Sequence, residues 1–307
     1  MQDTKYFILN TMFVGCHVSI AGGVQNAPER AADLDCECFQ MFTRSPQGGK
    51  VPELTPEIIK DFKIQNTKYK IQDTFVHTPY YINLASANNR IRYGSVSVVR
   101  DELERATLLG AKYVMTHLGS AAIKTSSLSS SPLKGEDVPT LLGQERVENE
   151  DVVEKVSRML KKTLEGYTGS AKLLIENSAG SGKIIGATFS QIAEIIKKTN
   201  HPALVGICMD TQHSFASGYD WRDFENTLKK IDSEIEIDKI KLIHANDSMT
   251  ELASHKDRHE HIGQGQIGLD AFKNIVAFAK KNDIDMILET EHEKVKEDIE
   301  LLKKLRD

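Results

Sequence analysis

Eight apolar segments rich in β-branched residues recur along the 307-residue chain, each separated from the next by room for one helix. They are Phe13 to Cys16, Cys38 to Phe42, Thr74 to Val76, Tyr113 to Thr116, Leu173 to Ile175, Val205 to Met209, Ile240 to Ile243 and Met286 to Leu288. Between them, stretches such as Val98 to Leu109, Val152 to Leu164, Phe189 to Lys198 and Leu269 to Lys280 carry apolar residues three and four apart with charges opposite, the periodicity of amphipathic helices. Strand and helix in alternation imply a parallel sheet. Eight such units favour closure, because an open doubly wound sheet usually has fewer strands and a glycine-rich phosphate turn after the first, and none follows the first strand here. The expected fold class is α/β, a single-domain (β/α)8 TIM barrel over residues 1–307.

Composition agrees with a large core, with 40% hydrophobic and 27% charged residues. The apolar runs are too short for the roughly 20 residues that span a bilayer, so no membrane association is expected. Met1 to Phe13 lacks a basic start, an apolar stretch and a cleavage site, which predicts a cytoplasmic protein. Cys16, Cys36, Cys38 and Cys208 have no C-x-x-C spacing and read as reduced core thiols. Ala121 to Gly143, rich in Ser, Lys, Pro and Gly, reads as a surface-loop insertion.

The chemistry lies where metal-capable side chains fall relative to the strands. His77, His117, Glu176, Asp210, His244 and Glu289 each directly follow one of strands three to eight. In a parallel barrel those ends meet at one mouth, where barrel enzymes keep their active sites. Any one of them alone is more often a structural residue; six in register point to a metal site. Asp210-Thr211-Gln212-His213 adds a second imidazole, and Asp257-Arg258-His259 places a carboxylate and an imidazole two apart, on one side of an extended segment. His261 has the same spacing beyond His259 and is a rival ligand. Imidazoles and carboxylates without thiolate suit zinc or manganese in a catalytic site. Nine ligands are too many for one ion, and three zinc ions would bring six positive charges against four negative ones from Glu176, Asp210, Asp257 and Glu289. Such a pocket attracts a phosphodiester, although the net charge of −5 excludes a general nucleic-acid coat.

The sequence closely resembles the endonuclease IV family of apurinic/apyrimidinic endonucleases. The resemblance runs from Gly15-Cys16-His17-Val18-Ser19-Ile20-Ala21-Gly22-Gly23 almost to the end, through Glu176-Asn177-Ser178-Ala179-Gly180-Ser181-Gly182, Asp210-Thr211-Gln212-His213, His244-Ala245-Asn246-Asp247-Ser248, and Asp257-Arg258-His259 followed by Ile262-Gly263-Gln264-Gly265. It implies three Zn2+ per chain, with Mn2+ an option at one site. His77 and His117 would bind one ion, Glu176 would bridge to a second completed by Asp210, His244 and Glu289, and His213, Asp257 and His259 would hold the third. Glu176 and Glu289 are the implied catalytic carboxylates, orienting a water whose pKa the metals lower. The implied reaction is incision of double-stranded DNA 5′ to an abasic site, leaving a 3′-hydroxyl and a 5′-deoxyribose phosphate, with 3′-repair phosphodiesterase action on blocked 3′ ends. Family precedent is a monomer.

An abasic nucleotide lacks stacking and pairing, so extruding it costs less than flipping a normal base. The resemblance places Tyr80 and Tyr81 in a loop that enters the minor groove, and Arg44 is a candidate for backbone phosphate. Asn83 and Asn177 read as loop-fixing groups and His17 as a structural residue. Departures from the family pattern at Gln47, Leu118, Met249, Ala253 and His255 leave the metals alone but alter DNA-facing loops. The alternatives are a metal-dependent sugar isomerase or epimerase on a related barrel, against which five ligand histidines argue, and a non-catalytic lesion-binding protein. A two-metal amidohydrolase is disfavoured by His17-Val18-Ser19 in place of H-x-H.

Overall fold

A computed structural model describes residues 12–121 and 151–307. Among them, β1 (Val14–His17), β2 (Cys38–Met41), β3 (Asp73–His77), β4 (Tyr113–Thr116), β5 (Lys172–Glu176), β6 (Leu204–Asp210), β7 (Ile240–His244) and β10 (Asp285–Leu288) form a closed barrel, every neighbouring pair parallel. Two-residue strands β8 (Asp247–Ser248) and β9 (His259–Glu260) pair antiparallel above the mouth. The helices are α1 (Ala27–Asp33), α2 (Pro56–Lys68), α3 (Asn89–Leu109), α4 (Val152–Leu164), α5 (Phe189–Thr199), α6 (Thr211–Ala216), α7 (Phe224–Ile235), α8 (Leu269–Asn282) and α9 (Val295–Arg306). The TIM barrel read from the sequence is the observed fold, and α4 has the predicted bounds. Apart from Ala121, the insertion expected at 121–143 lies outside the described residues. No described helix is long and apolar enough to cross a membrane.

Alternation along the strands makes two cores. Outward-facing residues such as Val14, Phe39, Val76, Val114, Ile175 and Ile243 pack beneath the helices, while Cys38, Phe75, Met115, Leu174, Cys208, Leu242 and Ile287 fill the barrel interior. Gly15 belongs to this inner course because a Cβ there would lie 1.7 Å from the Cys38 carbonyl oxygen. All four cysteines are free and buried.

Candidate metal centre

With a period of two, each inward-facing residue is followed two positions later by another facing the same way. Cys38, Phe75, Met115, Leu174, Cys208, Leu242 and Ile287 thus fix the direction of Gln40, His77, His117, Glu176, Asp210, His244 and Glu289, and Gly15 that of His17. The apolar plug is capped by one polar layer at the C-terminal mouth. Gln40 in that layer escaped the sequence reading, because an amide is neither a metal-type ligand nor a titrating group; its alternation with Cys38 was the available signal.

Glu176 is the hub. Its Oε2 lies 2.8 Å from His77 Nε2 and 3.4 Å from His117 Nε2, while Oε1 lies 3.1 Å from His244 Nδ1 and 3.4 Å from His213 Nδ1. Each oxygen therefore serves a different group of imidazoles. Asp210 caps the N-terminus of α6, accepting from the His213 amide at 2.7 Å, so the same carboxylate that faces the centre sets the helix that presents His213. Asn246 Nδ2 donates to the second Asp210 oxygen at 2.7 Å, and Asn177 Oδ1 accepts from the Asp210 amide at 2.7 Å. Asp257 closes the outer side, 3.3 Å from His213 Nε2 and 3.4 Å from His259 Nε2. Among the described residues, potential ligand atoms gather into three groups, each within 4.8 Å: His77, His117 and Glu176; Glu176, Asp210, His244 and Glu289; Asp210, His213 and His259. The structure thus brings all nine predicted side chains together, Asp257 through its two histidine contacts.

Do these residues fit cations? A carbonyl oxygen can only accept, so the ring nitrogen facing it carries a proton and, in the neutral ring, leaves the other as a lone pair. His77 Nδ1 donates to Thr78 O at 2.6 Å, His213 Nδ1 to Asn177 O at 3.0 Å and His259 Nδ1 to Glu289 O at 3.3 Å, which leaves their Nε2 atoms aimed at carboxylates. Lone pair against carboxylate is repulsive unless positive charge, a proton or a cation, lies between. His259 Nε2 is buried with no hydrogen-bond partner among the described residues, the orphan expected of a ligand. Burial would raise the Glu176 carboxyl, but His117, His244 and His213 hold it well below the usual range. Burial would likewise lower His213 and His244, yet Asp210, Asp257 and Glu176 raise the first, and Cys208, Glu289 and Glu176 the second. The centre demands positive charge, and the donor set suits divalent ions.

His261, the rival ligand, is not part of the centre. Its Nδ1 bonds Asp298 at 2.7 Å, and Asp298 also accepts from the Ile262 amide and Thr290 Oγ1, tying down the chain beyond β9. Gly263-Gln264-Gly265-Gln266-Ile267-Gly268 does follow the G-x-G-x-x-G spacing, far from the first strand, but the Gly263, Gly265, Ile267 and Gly268 amides that could cradle a phosphate all donate to Asp247. His17 accepts from Gln40 Nε2 at 2.9 Å, and burial pushes its imidazole down to about 4.

A cavity of about 780 Å³ opens over the centre, lined by His17, Phe42, Tyr80, His117, Asp257 and His259 among others. Tyr80 is 70% and Tyr81 41% exposed, and Tyr80 packs edge-on to Phe42. Asn83 bridges to Ser120 through both its amide oxygen and nitrogen, and so fixes the loop after β4. The departures divide: Leu118 is core, whereas Met249 is half exposed.

Arg44 borders the cavity, and its guanidinium is buried and pairs with Glu102 and Asp101. Glu102 also accepts from Thr43 Oγ1, to which Arg105 donates, so the network staples the loop after β2 to α3. Glu102→Ala removes one of the two carboxylates paired with the buried Arg44 and the acceptor of Thr43 Oγ1, and is expected to cost about 3 kcal/mol. Urea denaturation checks this; a loss below about 1 kcal/mol would remove the staple from the account.

The chain matches the family model for the xylose isomerase-like TIM barrel over residues 28–305. It is 36% identical over 299 residues to a probable endonuclease 4 of Methanoculleus marisnigri, covering 96% of this chain and 98% of that one. The corresponding protein of Nitrosopumilus maritimus is 34% identical over 307 residues, with 96% and 99% covered. The crystal structure of endonuclease IV from Thermus thermophilus is similar at TM-score 0.77 and 29% identity, with 96% of this chain and 97% of that one covered. A D-tagatose 3-epimerase-like protein, at 21% identity and TM-score 0.66 with 96% and 97% covered, shares the fold. The full-length likeness in sequence and structure shows that the chain belongs to the endonuclease IV family.

Proposed function

We propose that the chain is a DNA-repair endonuclease that incises double-stranded DNA 5′ to abasic sites and removes blocking groups from 3′ ends, acting as a monomer with three zinc ions, manganese being an option at one site. The observation that carries this reading is the sharing of Glu176 and Asp210 between neighbouring ligand groups, with the orphaned His259 Nε2 in the outermost. His77, His117 and Glu176 would hold one ion, Glu176, Asp210, His244 and Glu289 a second, and His213, Asp257 and His259 a third. When bound, such ions neutralise phosphate charge and generate a nucleophile from water at neutral pH.

The protein's own contribution is position. Asn177 and Asn246 fix Asp210, the backbone carbonyls fix three imidazoles, and Gln40 holds Glu289 at 2.6 Å. Glu176 and Glu289 orient water for in-line attack on phosphorus; the P–O3′ bond breaks, and the water's proton ends on the departing 3′-oxygen. Tyr80 and Tyr81 occupy the groove exposed when an unstacked nucleotide leaves the helix. Endonuclease 4 relatives support this reading over sugar epimerisation, for which the likeness is one of fold alone.

The test is incision of a duplex bearing one abasic analogue, with the product's 3′ end assayed by polymerase extension. Extendable ends support the reading; an uncut duplex with fully metallated protein ends it. Tyr80→Ala should weaken kcat/KM for this duplex about 10-fold, given about 1–3 kcal/mol for aromatic contact with a nucleotide, with unchanged metal content. An unaltered KM with lower kcat would instead place Tyr80 in the chemistry.

A further inference from the structure

Gln40 is wholly buried at the end of β2, and its one amide group meets three members of the polar layer. Nε2 donates to Glu289 Oε1 at 2.6 Å and to His17 Nδ1 at 2.9 Å, while Oε1 accepts from His244 Nε2 at 2.7 Å. We infer that Gln40 is a positioning residue that locks His244 in the tautomer with a proton-free Nδ1 and holds Glu289 apart from it, keeping the middle cation site open. This rests on the proposed function above.

His77, His213 and His259 have their outer nitrogens fixed by backbone carbonyls, which no side-chain substitution removes. His244 alone among these four depends on a side chain for that contact. Its Nδ1 lies 3.1 Å from Glu176 Oε1 and 3.2 Å from Glu289 Oε2. Without an acceptor at Nε2, the ring proton would move to Nδ1 and bond those carboxylates directly, so the site would neutralise itself and lose an ion ligand. The second half of the amide guards the other partner. By donating to Glu289 Oε1, Gln40 keeps that carboxylate from rotating wholly onto His244. A carboxamide supplies both the acceptor and the donor in one plane, and a methionine of similar length supplies neither.

The experiment compares zinc release from wild type, Gln40→Met and Gln40→Glu. Each protein is loaded with zinc, freed of excess by gel filtration and mixed with a chromophoric chelator, with folding checked by circular dichroism. The wild type should retain its zinc through the column. Gln40→Met should release one ion of the set roughly 10–100-fold faster, the rest at the wild-type rate. Gln40→Glu keeps an acceptor for His244 but sets a second carboxylate oxygen against Glu289, so it too should release one ion faster; it decides the matter if the methionine variant does not fold. Wild-type release rates in the folded variants overturn the role of Gln40 while leaving the proposed function standing. A wild type that retains no zinc overturns both.

Discussion

Glu176→Gln is expected to lower kcat/KM for abasic-site incision by about 10²- to 10³-fold or somewhat more without unfolding the barrel. The carboxylate is 1% exposed and faces four imidazoles, two at each oxygen. Removing one partner of a buried ionic group costs about 3–5 kcal/mol, and each 1.4 kcal/mol of transition-state stabilisation is about a factor of ten in rate. Glutamine keeps the volume but places an amide nitrogen where one pair of histidine lone pairs must share a cation, so the two inner ligand groups lose their bridge. Paired kinetic and zinc assays check this. Incision within threefold of wild type would remove Glu176 from the centre of the mechanism.

Stripping the ions should be the second large effect, and it should reach the fold as well as the activity. A ligand present at about 1,000 times its Kd stabilises by about 4 kcal/mol, which for a protein of this size corresponds to roughly 6 °C in Tm. Scanning calorimetry before and after chelation reads this directly. The difference should depend on pH in a definite sense. Without ions, His213 and His244 have imidazole pKa values raised above 6.5 by their carboxylate neighbours, so their stabilising contribution is present at low pH and is lost as pH rises through the raised values. Cation binding requires the same imidazoles without protons and strengthens over that rise. The Tm gap between loaded and stripped protein should therefore widen as pH rises above about 6.5. A gap constant with pH would mean that these imidazoles do not exchange protons for metal.

The sequence carried the barrel because each strand ends its apolar run on a polar residue. Phe75-Val76-His77 and Leu174-Ile175-Glu176 show the pattern: alternation sends one apolar residue outward beneath the helices and the polar one into the mouth. Spacing left His261 open beside His259, and only the contact with Asp298, 37 residues away in sequence, decides between them. Arg44 likewise meets Glu102, 58 residues distant. Long-range partners of this kind have no local signature. Gln40 escaped for a different reason, since an amide gains its meaning only from the three groups it joins.

The central claim is that side chains from separate strands and loops converge on divalent cations at one mouth of the barrel. Anomalous diffraction at the zinc edge, from crystals grown with zinc, tests it most directly. Three peaks are predicted: between His77, His117 and Glu176; between Glu176, Asp210, His244 and Glu289; and between His213, Asp257 and His259. No peak at the mouth, or zinc bound only elsewhere, would contradict the account.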